Sequence, residues 1–181
     1  RTDSLRLSEE ALGLCRDFIE RTYGAERLPK APNVYAAPGR SQDAHEAIRP
    51  TDVTLTPEAV RDAMSPEQFR LYDMIWRRFT ACQMAPAVTA KATLRAEAGR
   101  VGLKQEGESL VFDGWSAVWP LDLKGERLEP VEAGTVLTPT DMTKEQRFTR
   151  PPARYSEASL IKTLEENGVG RPSTYATISG T

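Results

Sequence analysis

The apolar residues of this 181-residue chain change their spacing near residue 86, and this change limits the fold classes open to it. Within residues 66–84 they recur every three or four positions, which is typical of the buried stripe of a helix. Within residues 88–97 they alternate with polar residues, which is the period of a half-buried strand. We therefore expect an α+β protein.

Capping residues predict where the helices begin and end. Ser8 suits the N-cap of a helix over about 9–23, and Gly24 ends it. Thr56 and Ser65 each precede a proline, which suits a first helical position, and predict helices to about residues 64 and 84. Ser156 opens a fourth helix, whereas the prolines between residues 29 and 56 predict a long loop.

The strand pattern continues beyond the first alternating run. Residues 110–112 and 115–119 extend it, and glycines and prolines separate the runs as turns do. We expect a small antiparallel sheet of about three or four strands within residues 86–150.

Charge and cysteine content narrow the possible functions. The net charge of −2 argues mildly against a nucleic-acid partner, but residues 70–104 carry seven cations against two anions. These cations form either a local phosphate-binding patch or an ordinary solvated face. Cys15 and Cys82 are too few and too far apart for a disulfide framework or a zinc site, so we expect buried, reduced thiols. No apolar run is long enough for a membrane span.

Two places in the sequence suit a phosphate. His45, the chain's one histidine, lies in the loop four residues before Arg49, and both side chains can donate charge-assisted hydrogen bonds. A lone surface histidine is the alternative. Arg171, Ser173 and Thr174 lie at a predicted helix start, where free N–H groups favour an anion, although Pro-Ser-Thr is equally typical of an N-cap.

Three longer strings carry a family resemblance. They are Arg-Thr-Asp-Ser at residues 1–4, Ala-His-Glu-Ala-Ile-Arg-Pro-Thr at 44–51, and the pair of segments at 151–160 and 168–178. All three resemble the bacterial type IA DNA topoisomerases, and within them the topoisomerase I group. In that family a tyrosine just before the first string cuts one DNA strand, so the chain is expected to be an internal fragment that starts after this nucleophile.

The resemblance implies a multi-domain α+β architecture. Residues 1–85 would belong to the helical gate domain that bears the tyrosine, 86–150 to a β-rich arch or hinge segment, and 151–181 to the start of a helical base domain. The arch sheet would be incomplete and would leave an exposed edge. The family's helix normally continues after Ile178, so the Ser-Gly-Thr end puts the last helix in doubt.

The resemblance also implies roles for individual residues. Arg1 would contact the cleaved phosphate and His45 would lie near it, as the catalytic residues present here, while Asp3 would orient Arg1 or the backbone. The further residues expected at DNA are Arg49, Arg154, Arg171, Ser173 and Thr174. No metal ligands are expected in this chain, since Mg²⁺ would be held by a separate domain of the parent enzyme.

The function implied for the parent is relaxation of negatively supercoiled DNA through a 5′-phosphotyrosine link, strand passage and resealing without ATP. The fragment itself is expected to be inactive, monomeric, zinc-free, not membrane-bound, cytoplasmic with the nucleoid, and a partner of single-stranded DNA. The alternative is a non-catalytic module that binds single-stranded DNA or a protein.

Overall fold

A computed structural model describes residues 4–35, 46–171 and 173–180. Its helices are α1 (Glu9–Tyr23), α2 (Pro57–Val60), α3 (Pro66–Cys82), α4 (Glu157–Glu166) and α5 (Tyr175–Ser179), and its strands are β1 (Val88–Ala98) and β2 (Val101–Phe112). Single 3₁₀ turns lie at Ala25–Arg27, Arg61–Ala63 and Gly114–Ala117. The α+β class is confirmed.

The chain divides into two compact units. One contains the described residues from 4 to 131, and the other those from 132 to 180. The assignment of residues 1–85, 86–150 and 151–181 to gate, arch and base domains stays a prediction.

The helices of the first unit begin at the capping residues read from the sequence. The hydroxyls of Ser8, Thr56 and Ser65 accept hydrogen bonds from N–H groups in the first turns of α1, α2 and α3. In α3, Gln68 completes a capping box by bonding back to the Ser65 N–H. Because each start is fixed by a local polar contact, the helix starts were readable before packing was known. The end predicted near residue 64 was too late for α2, which stops at Val60 and continues as a 3₁₀ turn over Arg61–Ala63.

The core of the first unit lies between α1 and α3. From α1 it receives Ala11, Cys15 and Ile19, and from α3 it receives Trp76 and Phe79. The Trp76 indole N–H donates to the Val53 carbonyl over 2.8 Å, which satisfies the polar end of a buried ring. The core therefore fixes the loop before α2 as well as the two long helices.

Both cysteines are free thiols, as predicted. Cys15 is fully buried, and this burial raises the pKa of its thiol to about 12. Cys82, at the end of α3, is only partly buried.

The sheet has fewer strands than predicted. Within the described residues it is a single antiparallel hairpin in which Ala98 faces Val101 and Ala92 faces Gly107. Gly99 opens its two-residue turn with a φ of 63°, which suits a glycine at that position. Each strand keeps one edge without a strand partner in this part of the chain, in line with the expected exposed edge.

Residues 115–119 are not a strand, and the prediction that they continue the sheet was wrong. The chain forms a 3₁₀ turn at Gly114–Ala117 and then bends, and Val118 is buried while Trp115 and Trp119 pack against the core. The three apolar residues are spaced by three and one, which brings them to one side of a helical turn, whereas a strand alternates.

A junction beside the core holds the base of the hairpin. Arg27 makes two hydrogen bonds to the Asp113 carboxylate, at 2.8 and 2.9 Å, and this bonding lowers the pKa of Asp113. The Ala85 N–H donates to the Arg27 carbonyl, and the Ala85 carbonyl accepts from the Trp115 N–H. These bonds tie the end of α1, the end of α3 and the turn after β2 together.

Among its described residues, the second unit has no helix or strand between 132 and 156 and then forms α4 and α5. Ser156 caps α4 as predicted. The predicted helix start at Arg171-Pro172-Ser173 was placed too early, because a turn occupies 173–174 and α5 begins at Tyr175. No side chain of the second unit is buried among its described residues.

Across the described ranges, no helix is long and apolar enough to cross a membrane.

Candidate functional site

The segment after the N-terminal motif is joined to the loop that carries the histidine motif. The Ala47 N–H donates to the Arg6 carbonyl over 2.8 Å. The Ser8 N–H donates to the Glu46 carboxylate over 2.9 Å. Residues that are 38 positions apart in sequence therefore form one local structure.

Glu46 and Arg49 form the ion pair that shapes this loop. The Arg49 Nε lies 2.8 Å from one carboxylate oxygen of Glu46, and its Nη2 lies 3.3 Å from the other. These bonds, together with the Ser8 N–H, lower the pKa of Glu46 to about 2. The carboxylate is therefore ionised at neutral pH. The Arg49 guanidinium is partly exposed, and it stabilises the loop through this ion pair.

A groove opens beside these joined segments. Its volume is about 800 Å³, and its lining includes Leu5 from the N-terminal segment and Ile48 from the histidine loop. Trp115, Trp119 and Arg78 line it as well. The guanidinium carbon of Arg78 lies 5.9 Å from the centre of the Trp119 ring, a cation–π arrangement.

Three predicted site residues, Arg1, Asp3 and His45, lie outside the described residues. Their roles stay predictions. Their described sequence neighbours Ser4 and Glu46 belong to the two segments that the hydrogen bonds join.

The other predicted DNA contacts lie in the second unit, apart from Arg49. Arg154, Arg171, Ser173 and Thr174 are all exposed. The Thr174 hydroxyl accepts from the Arg171 N–H over 2.9 Å, so this side chain stabilises its own turn. The structure brings Arg171 and Thr174 together, and their contact with DNA stays a prediction.

The cations of residues 70–104 are partly neutralised. Arg77 pairs with Asp73 at 2.6 Å, and Lys91 pairs with Glu108 at 3.3 Å. Lys104 pairs with Glu106. Arg78 has no ion pair with any described residue, which leaves its charge available at the groove.

Sequence reasoning missed Glu46 and the two groove tryptophans. The Glu-x-x-Arg spacing at 46–49 signalled the ion pair, since residues three apart can pair in a turn. Nothing local signalled that Ser8 would be the second partner. Trp115 and Trp119 were visible as large aromatic residues, but their misassignment to a strand hid that they share one side.

Among the residues that the structure describes, no group of three or more His, Cys, Asp or Glu side chains could hold a metal ion.

Comparison with known proteins decides the family. A family model described as DNA topoisomerase matches residues 1–181. The chain belongs to the DNA topoisomerase family. This family membership confirms the resemblance seen in the three sequence strings.

Individual topoisomerases match along the whole chain. DNA topoisomerase 1 of Salmonella typhimurium and that of Escherichia coli are each 48% identical over 184 residues, covering 100% of this chain and 21% of their own length. Full-length topoisomerase I from Thermotoga maritima has a similar structure, with a TM-score of 0.82 at 35% identity, covering 98% of this chain and 28% of that one. The chain thus spans 21% of the length of the two bacterial relatives and 28% of the length of the Thermotoga maritima chain.

Proposed function

We propose that this chain is part of a type IA DNA topoisomerase I whose complete protein relaxes negatively supercoiled DNA. In the proposed reaction a tyrosine hydroxyl attacks a phosphodiester of one strand. The tyrosine becomes joined to the 5′ phosphate, and the 3′ hydroxyl of the cut strand leaves. Another strand passes, and attack by that hydroxyl restores the phosphodiester and frees the tyrosine, so no ATP is consumed. The family membership and the three motif strings support this assignment.

The observation that carries the proposal is the joining of residues 6–8 to residues 46–47. In the sequence, Arg1 lies five positions before the first of these segments and His45 directly precedes the second. In the proposal both side chains contact the scissile phosphate, where fixed positive charge stabilises the negative charge of the five-coordinate transition state. Asp3 orients Arg1, and the Glu46–Arg49 pair holds the loop that presents His45.

The second unit is proposed to bind the unpaired strand away from the cut. Arg154 and Arg171 supply charge to its phosphates, and the hydroxyls of Ser173 and Thr174 supply hydrogen-bond donors. The exposure of all four side chains supports this role.

Mg²⁺ is proposed to act from another part of the complete protein, as the family resemblance implies. No step assigned to this chain passes through the ion. We also expect the complete protein to work in the cytoplasm, at the nucleoid.

The 181-residue chain by itself is expected to bind single-stranded DNA without cutting it. None of its five tyrosines is adjacent to the Arg-Thr-Asp-Ser string, where the resemblance places the nucleophile. Incubation with labelled single-stranded DNA and Mg²⁺, followed by denaturing electrophoresis, should show no covalent adduct. An adduct would contradict the expected inactivity.

Binding tests the phosphate contacts. Fluorescence anisotropy with a labelled oligonucleotide should show affinity that falls as salt rises, with a slope of about −0.7 for each phosphate contact. His45→Gln and Arg171→Gln should each weaken binding about threefold or more, while Lys144→Gln, a charge change on an exposed residue with no predicted role, should change it less. Equal effects of all three variants would reject the predicted contacts.

A further inference from the structure

We propose that the groove lined by Tyr35, Ile48, Arg78 and Trp119 accepts one unstacked base of the single strand whose phosphate the His45 loop is proposed to hold. This inference rests on the proposed function. It adds the groove as a second subsite, which binds a base next to the phosphate. Three features of the groove carry it: its position, its walls and its charge.

The position of the groove follows from the two joined segments. Ser4 and Leu5 line it from the N-terminal side, and Ala47 and Ile48 line it from the histidine loop. The hydrogen bond from the Ala47 N–H to the Arg6 carbonyl fixes these two walls to each other. The groove is therefore lined by residues that belong to or directly follow both motif strings, and this is where we place the base next to the bound phosphate.

The walls of the groove suit a flat aromatic ring. Trp115 lies in the 3₁₀ turn Gly114–Ala117, and the Trp119 N–H just after it donates to the Trp115 carbonyl over 3.1 Å. Tyr35 is 48% exposed, and its hydroxyl donates to the Cys82 carbonyl over 2.7 Å, which fixes the ring at the rim. Aromatic side chains held in this way are what single-strand binding proteins use to stack bases of any sequence.

The charge of the groove selects an anionic occupant. Its described lining includes no Asp or Glu, and its one charged side chain is Arg78. Arg78 has no ion pair within the described residues, so its charge can meet a ligand. The side-chain amide of Asn33, another polar group of the lining, already donates to the Cys82 and Met84 carbonyls. An uncharged apolar peptide would cover Arg78 without supplying a counter-charge, which is unfavourable. A nucleotide supplies both the ring for Trp119 and the phosphate for Arg78.

The size of the groove is compatible with this occupant. A volume of about 800 Å³ lies in the range of small-molecule pockets and exceeds that of a single nucleotide. Phe79 and Met84 are buried, so the groove has a packed floor.

The test compares two strands of about twelve nucleotides that differ only in their bases: oligo-dT and a fully abasic strand of the same length. Phosphate contacts alone bind both equally. A stacked base should make oligo-dT bind about tenfold more tightly. Oligo-dT should also quench tryptophan fluorescence, since Trp76 is only 4% exposed and the responding rings are those of the groove.

Variants assign the preference to the groove. Trp119→Leu should reduce the preference for oligo-dT to about twofold and leave the affinity for the abasic strand unchanged. Arg78→Gln should weaken oligo-dT binding about threefold to fivefold. Arg78 is exposed, so this substitution should not affect folding. The matched control is Arg21→Gln, an exposed arginine of α1 away from the groove. Circular dichroism checks that each variant is folded.

The outcomes separate the two proposals. If neither strand binds at low salt, the proposed function of this chain in DNA binding fails. If both strands bind equally and with the same salt dependence, the phosphate contacts stand and the base subsite is overturned. Sedimentation velocity tests whether a second copy of the chain occupies the groove. Self-association that Trp119→Leu abolishes, together with equal binding of the two strands, also overturns the proposal.

Discussion

At the scale of single residues, Glu46 joins three parts of the candidate site. It accepts from Ser8, pairs with Arg49 and directly follows His45 in sequence. Its carboxylate is one-third exposed, so each contact is individually modest. Its importance lies in geometry, because loss of its charge would weaken one of the two hydrogen bonds described between the N-terminal segment and the histidine loop, and leave that from the Ala47 N–H to the Arg6 carbonyl.

The depressed pKa of Glu46 makes this contribution depend on pH. Its ordinary pKa of 4.5 falls to about 2 in the folded chain, so the stabilisation is fully present above about pH 4.5 and is lost as the pH falls towards 2. Glu46→Gln should therefore destabilise the chain by about 1 kcal/mol at pH 7 and by much less near pH 2.5. Urea unfolding at both pH values measures the difference.

The control is Glu20→Gln, which removes an exposed carboxylate on α1 that has no side-chain partner among the described residues. It should change stability little at either pH. A Glu46→Gln deficit that is the same at both pH values would mean that the charge of Glu46 does not stabilise the fold.

At the scale of elements, two glycines show how far local and non-local demands differ. Gly13 lies within α1 with open space where a Cβ would be, so packing does not require a glycine at this position. Gly114 opens the 3₁₀ turn with a φ of 45°, and a Cβ there would meet the carbonyl oxygens of Ala85 and Pro86. The second glycine allows the hairpin to approach the end of α3.

Alanine substitution should therefore act in opposite directions at these positions. Gly13→Ala should raise stability by about 0.5–1 kcal/mol, because alanine loses less backbone entropy in a helix. Gly114→Ala should lower it by about 2 kcal/mol or more, through both the positive φ and the close carbonyls. Thermal unfolding followed by circular dichroism measures both. A Gly114→Ala chain as stable as the parent would show that the turn is not held against α3.

At the scale of the whole molecule, the buried side chains are concentrated in one unit. All the residues of the hydrophobic core lie between 11 and 118, and the described residues of 132–180 include no buried side chain. Burial of apolar surface is the main stabilising contribution to folding. The stability of the first unit should therefore be independent of the second.

A chain that ends at Val131 tests this expectation. Its unfolding midpoint should lie within a few degrees of that of the 181-residue chain, and the transition should remain cooperative. Differential scanning calorimetry on both chains makes the comparison. A drop of about 10 °C or more would show that residues 132–181 stabilise the first unit.

Much of the fold was predictable, and the error at residues 115–119 has a clear physical cause. Helix starts at Ser8, Ser65 and Ser156 were correct because an N-cap acts within three residues of itself. The run at 115–119 was misassigned because a short apolar run fits a strand or a helical turn until its packing partner is known. The candidate site was predictable to the same extent. The motif strings could be recognised in the sequence, but the hydrogen bonds between the segments that follow them could not.

The sequence by itself determined the capped helices, the alternating hairpin strands and, through three strings, the family, because each depends on residues close together in the chain. Only the tertiary structure decided that Ser8 meets Glu46 across 38 positions, that Arg27 meets Asp113 across 86, and that Trp115, Trp119 and Arg78 line one groove. Such contacts form only when burial of the core brings distant segments together. No local pattern of residues specifies which of the possible partners they will meet.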